Sequence, residues 1–194
     1  MLPQPTGRLV RKEDGVYVVL DRIFKAPIEE VWAYFSRSPR LAEWVGEYKG
    51  LPSTGAVRFR MNAEGDAAEW EDVTILECDA PHRLAADIGP AGNSWRMYVH
   101  LTEASGHTTV TFAQRLRSIS EEAPIGVGWD YYLDRLVAAR SGKPMPDWAD
   151  YHPAMLEHYQ NLCREIDQDL RREHAAVHLA ELGRREGEAT GTAG

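Results

Sequence analysis

Several residue groupings in this chain are of types and spacings that can do chemistry. His174 and His178 stand four apart in a helical stretch, a spacing that can hold zinc on one face. No cysteine or third ligand lies near them, and a catalytic zinc takes three protein ligands. The pair therefore reads as exposed helix surface, with no metal site and no cofactor expected. Asp130 and Asp134 share one side of a helix. Paired carboxylates can shift each other's ionisation, but the plainer reading is two solvated helix carboxylates. His100 alternates with Arg96 and Tyr98 along a strand, which makes it a surface histidine on the outer face. Gly126-Val127-Gly128 lacks the continuing glycines of a phosphate loop and follows no strand. No Gly-x-Ser-x-Gly nucleophile elbow occurs. These motifs assign no catalytic residue.

The elements that would position any site change character along the chain. Val16 to Phe24 is β-branched and aromatic and follows the turn pair Asp14-Gly15, so it reads as the first strand. Pro27 then opens a helix with Glu29 and Glu30 in its first turn and Val31, Trp32 and Phe35 as its apolar stripe. Pro39 ends that helix, and Arg40 to Trp44 reads as a short second one. Alternating stretches follow. Val57, Phe59 and Met61 share a face in Gly55–Met61. Trp70–Cys78 is a strand whose alternation breaks at Ile75-Leu76, where a bulge is expected. Arg83–Ile88 comes next, then Ser94–Glu103 with Trp95, Met97, Val99 and Leu101 together. Thr108–Arg117 carries Val110, Phe112, Gln114 and Leu116 on one face. The short spacers between them imply antiparallel hairpins.

The last third has helical period. Trp129, Leu133 and Leu136 form a stripe between Pro124 and Arg140, and Ser141-Gly142-Lys143-Pro144 stops the helix. A long helix from about Pro153 carries Met155, Tyr159, Leu162, Ile166 and Leu170 on one side, so it docks on something. Beyond Gly183 the residues are small or charged, and a flexible tail over 183–194 is expected. The whole reads as one domain over 1–182, with a core of about 8–140 and a helical extension of about 153–182.

Composition excludes several function classes. The net charge is −8, and the basic residues near Arg164, Arg171, Arg172, Arg184 and Arg185 are interleaved with acids, as on a solvated helix face. A phosphate-binding surface needs a basic face, so nucleic acid is not an expected partner. No run of 18 apolar residues is present, so no membrane insertion is expected. The first fifteen residues lack an apolar leader segment, and Cys78 and Cys163 do not suggest a disulfide framework. Both features point to the cytoplasm.

Three stretches, Arg22-Ile-Phe-Lys-Ala-Pro-Ile-Glu-Glu-Val-Trp32, Ser38-Pro-Arg-Leu-Ala-Glu-Trp44 and Gly55, resemble the opening of the SRPBCC (START-like, Bet v 1-like) superfamily. They are nearest to the branch named after the C-terminal domain of the activator of heat-shock protein 90 ATPase. Gly128-Trp129 with Leu133 and Leu136 is similar to that family's last helix. The resemblance covers roughly residues 8–140 and implies an α+β helix-grip fold, a curved antiparallel sheet wrapped around a long C-terminal helix. Such a sheet is too wide at its open end for side chains to fill, which suggests a cavity. The inward candidates are Met61, Trp95, Met97, Phe112, Gln114, Trp129, Leu133 and Leu136, with Trp44 and Trp70 at the mouth. Gln114 would be a lone polar anchor. Burying ~250 Å² of apolar ligand at ~25 cal/mol/Å² offers about 6 kcal/mol before association costs, a micromolar or weaker binder.

Three functions compete on this reading. The first is non-catalytic binding of a small apolar molecule, as a carrier or sensor. The second is a protein-interaction module related to chaperone ATPase activators, with a homodimer or protein partner engaged through the helix after Pro153. The third is a cyclase- or hydrolase-like enzyme using Gln114, Tyr132 or Tyr98.

Overall fold

Eight strands form one antiparallel sheet in the computed structural model, which describes residues 2–62, 68–119 and 121–191. The strands are β1 (Arg8–Lys12), β2 (Gly15–Phe24), β3 (Glu47–Lys49), β4 (Ala56–Arg60), β5 (Glu71–Asp79), β6 (Arg83–Ile88), β7 (Trp95–Ala104) and β8 (His107–Arg115). Their order across the sheet is β1-β2-β8-β7-β6-β5-β4-β3. Two helices, α1 (Ile28–Ser36) and α2 (Ser38–Leu41), carry the chain from β2 to the far edge, and α3 (Ala123–Ser141) and α4 (Leu156–Gly191) follow the sheet.

Local chemistry accounts for most of these boundaries. Pro27 is the N-cap of α1 and has no capping side chain of its own. The backbone N–H of Ile28 instead donates to Glu103 Oε2 at 2.8 Å, so a remote carboxylate satisfies the helix start. Pro39 lies in the first turn of α2, where proline is tolerated, and α2 therefore begins at Ser38 and ends at Leu41, earlier than the sequence pattern placed it. The β7–β8 hairpin turns on Ser105 (φ 52°) and Gly106 (φ 71°), the two positive φ values that a tight turn matched to strand twist requires. The pairing of β5 with β6 slips between Ile75 and Glu77, at the expected bulge. Gly142, with φ 61°, ends α3, and the N–H of Lys143 reaches back to the Ala138 carbonyl at 3.0 Å.

Two edge strands escape the sequence pattern. β1 is a five-residue edge with three basic residues, and β3 is three residues long. Neither offers enough alternating apolar positions to stand out, and their pairing with β2 and β4 defines them.

The core has one main body. Val16, Val18 and Leu20 of β2 pack with Leu133 and Leu136 of α3 and with Tyr151, Met155, Tyr159 and Cys163. The opposite face of β2 buries Tyr17 and Val19 against Ala113 and Tyr98, which explains why that strand is apolar on both sides. The helix starts at Leu156, later than the sequence pattern placed it, and its stripe docks on its own chain, with Met155 just before it and Tyr159 within it buried and Leu162, Ile166 and Leu170 packed beside them. The helix continues to Gly191, past Gly183, where a flexible tail was expected; positions 192–194 lie outside the described residues. Alanine, glutamate and arginine dominate 175–189, and the two interior glycines, Gly183 and Gly187, each cost only about 1 kcal/mol of helix propensity against alanine.

Candidate functional site

Along the first turns of α3, Ile125, Gly128, Trp129 and Tyr132 recur at helical spacing on one face and look into a cavity of about 290 Å³. The concave sides of β4 to β8 form the opposite wall, and α1 with the segment from Leu41 to Tyr48 closes it. A cavity of about 150 Å³ lined by apolar side chains stays dry and accepts benzene, so this one has room for about two fused rings. Gly128 helps to keep the space, because a Cβ there would meet no atom within 4 Å.

Six of the expected inward residues border this space. Met61, Trp95, Met97, Phe112, Gln114 and Trp129 all line the cavity. Trp129 packs on Phe112 with ring centroids 4.0 Å apart and on Tyr132 at 5.8 Å. Its indole N–H donates to Gln114 Oε1 at 2.5 Å. An indole is a donor only, so this bond fixes the amide with its oxygen towards Trp129. The other end, Gln114 Nε2, is buried and has no hydrogen-bond partner among the described residues. Leaving a buried donor unmatched costs on the order of 1–3 kcal/mol.

Four expected site residues sit elsewhere or differently. Trp44 lines the cavity but is not at its mouth. It is 2% exposed, edge-on to Phe35 at 5.6 Å, with its indole N–H donated to the Tyr34 carbonyl at 3.0 Å. Trp70 is not in the lining. Lys49 Nζ lies 3.9 Å and the Arg60 guanidinium 5.0 Å from its ring centroid, so cation–π contacts hold it. Leu133 and Leu136 are fully buried but belong to the solid core. At 1.5 Å of rise per residue they lie roughly 6 and 10 Å further along α3 than Trp129, where α4 already fills the groove. Tyr98, weighed as a polar group for an enzyme, faces the other side of the sheet, 5.6 Å from Tyr17.

The sequence pattern also missed lining residues: Trp32 and Phe35 of α1, Val73 and Ile75 of β5, and Ala86 and Ile88 of β6. Their strands were legible, but which apolar residues border a void depends on how the sheet curls.

A buried charge cluster beside the cavity overturns the solvated reading of Asp130. That residue is 0% exposed. Its carboxylate accepts from the Thr6 hydroxyl at 2.5 Å, from Arg22 Nη2 at 3.0 Å and from the Tyr159 hydroxyl. Arg22 also reaches Asp134 at 2.8 Å, and Tyr151 donates to Asp134 at 2.7 Å. Burial pulls the Arg22 pKa down, but Asp134 and Asp130 more than offset this and leave it above its ordinary value. Burial, followed by Asp130, pushes the Tyr159 phenol up, and burial with Asp134 does the same to Tyr151. Gly7 donates its N–H to Tyr159 Oη at 3.0 Å, so the cluster ties the N-terminal segment to β2, α3 and α4. None of Arg22, Asp130, Asp134 or Tyr159 lines the cavity. Their common role is to fix α3 at one end of it.

His174 and His178 are exposed on α4, and no group of three or more metal-ligating side chains is found among the described residues. No described helix is long and apolar enough to cross a membrane.

A curved antiparallel sheet closed by helices over an apolar cavity defines the α+β helix-grip fold of the SRPBCC (START-like, Bet v 1-like) superfamily. Within it, the chain belongs to the family described as Activator of Hsp90 ATPase homolog 1-like protein, whose model matches residues 25–140, more than half of its length. No curated protein sequence matches significantly. Among solved structures, CalU16 from Micromonospora echinospora superposes with a TM-score of 0.65 at 23% identity, over 81% of this chain and 96% of that one. The Bordetella parapertussis protein encoded by BPP1335 gives 0.61 at 18% identity, over 84% and 94%. DynU16, described as a putative protein in the dynemicin biosynthetic locus, gives 0.56 at 27% identity over 68% of this chain, which spans 49% of DynU16.

Proposed function

We propose that this protein binds a small apolar molecule in the cavity between the sheet and α3, as a carrier or sensor and without chemistry. The observation that carries this reading is a cavity of about 290 Å³ walled mostly by apolar and aromatic residues, with the amide of Gln114 buried in its wall. Buried apolar walls with a sparse polar group are what small-molecule sites provide. Of the lining groups that could serve as acid, base or nucleophile, Glu71 and Cys78 are exposed, Ser36 and Tyr48 donate to the carbonyls of Trp32 and Ser36, and Tyr132 is a half-buried phenol packed edge-on to Trp129, an arrangement that supports binding over catalysis. A relative described as lying in a biosynthetic locus is compatible with a small-molecule ligand. Two free thiols, Cys78 and Cys163, suit a reducing cytoplasm.

An interaction role through α4 has less support, because the helix's apolar stripe is taken up by its own core. The test is native mass spectrometry of the full chain after incubation with a mixture of fatty acids and two-ring aromatics. Retention of one adduct, lost in an Ala86→Trp variant that fills the cavity, is the expected outcome. Recovery of bare protein only, or equal retention by the variant, contradicts the proposal.

A further inference from the structure

We infer, resting on the cavity reading above, that the ligand is a neutral, planar aromatic molecule carrying an oxygen acceptor that takes the free donor of Gln114. The amide is set from both sides. Trp129 occupies Oε1, so Nε2 is the end left over. Its cross-strand neighbours in register are Val18 on β2 and Met97 on β7, and neither side chain offers an oxygen. An amide N–H₂ is a donor only, so the complementary group is an acceptor such as a ketone, quinone or ester carbonyl.

The rest of the wall selects against negative charge, and its carboxylate, Glu71, is exposed. Among the described residues no lysine, arginine or histidine lines the cavity, so an anionic ligand would enter without a counter-ion. Flat rings suit the walls, because Trp95, Phe112, Trp129 and Tyr132 present π faces and edges and Met97 presents a polarisable sulfur among them.

The test uses two probes of one shape, 2-acetylnaphthalene and 2-ethylnaphthalene, titrated into the full chain and followed by tryptophan fluorescence. In the native protein the ketone gains from Gln114. The Gln114→Met variant weakens ketone binding by about 3- to 10-fold while leaving the hydrocarbon within about 2-fold. A second readout needs no variant: the carbonyl stretch of bound 2-acetylnaphthalene lies at lower frequency than in cyclohexane. The anion 2-naphthoate binds more weakly than the ketone. Equal ketone-to-hydrocarbon ratios in native and variant protein, an unshifted carbonyl band, or tight 2-naphthoate binding overturns the inference while leaving the cavity reading intact. Failure of both neutral probes to bind overturns both.

Discussion

Gly126 and Gly128 sit two residues apart in α3, and substituting each with alanine should change stability in opposite directions. By helix propensity alone each substitution stabilises, because glycine in a helix interior is about 1 kcal/mol worse than alanine. The structure separates them. A Cβ on Gly126 would lie 2.1 Å from Tyr159 Cδ1 and 2.2 Å from Cε1, against the 3.5–4.0 Å at which carbon atoms pack. The ring cannot swing aside freely, because its hydroxyl is bound by the Gly7 N–H and to Asp130. Forcing it out forfeits a buried aromatic, about 3–5 kcal/mol, and the propensity gain returns about 1. Strain in place costs about 1–3 kcal/mol before the same offset. The cheaper route sets the cost, and with contacts as short as 2.1 Å the strain lies at the top of its range, so Gly126→Ala should lose about 2 kcal/mol. Gly128→Ala meets nothing within 4 Å and should gain about 0.5–1 kcal/mol. Urea unfolding of both variants measures the difference, and adding Tyr159→Ala to Gly126→Ala should show coupling, since the clash is then gone. A Gly126→Ala protein as stable as the native one refutes this account of how α4 docks.

Three further outcomes follow from the buried cluster and the dock. Asp130→Ala leaves Arg22, Thr6 and Tyr159 without their shared acceptor and should cost about 3–5 kcal/mol, a melting-point fall of about 10 °C by calorimetry. Tyr17, Tyr151 and Tyr159 all have phenols raised above the ordinary value near 10, first by burial and then by Asp14, Asp134 and Asp130 respectively. Their stabilising contribution is complete below pH 10 and is lost above it, where the unfolded chain ionises and the folded one does not. Stability should fall by up to about 1.4 kcal/mol per pH unit for each of these three tyrosines, and the part of the tyrosinate absorbance that Tyr→Phe variants at 17, 151 and 159 remove should appear together with unfolding. Removing residues 153–194 strips Met155, Tyr159 and Cys163 from the core. The remainder should show strong binding of a hydrophobic dye and a broadened melt, whereas an intact, sharply melting remainder would make α4 an accessory after all.

The sequence disclosed the sheet better than the cavity. Alternation along Trp95–Leu101 and Val110–Leu116 assigned faces correctly because inward and outward residues on a strand are fixed by a period of two. The bulge at Leu76 was legible for the same reason, as a break in that period. The edge strands β1 and β3 were not, since an edge shares little of the core and carries little pattern. Leu133 and Leu136 were correctly apolar and buried, but the pattern records burial and not whether the space opposite is full. Asp130 was the largest misreading. Its partners Thr6, Arg22 and Tyr159 come from three distant segments, and nothing local to α3 distinguishes a buried carboxylate from a solvated one. Trp70 shows the reverse case, a large aromatic that two cations hold outside the cavity.

The most direct test of the cavity is methyl NMR on the methionines during titration with 2-ethylnaphthalene. Met61 and Met97 line the cavity, Met155 is buried in the main core outside the lining, and Met145 is exposed. Saturable shifts confined to Met61 and Met97, with Met145 and Met155 unmoved, are the predicted result. Unchanged Met61 and Met97 signals at saturating probe, or equal shifts at all four, would contradict a ligand seated between the sheet and α3.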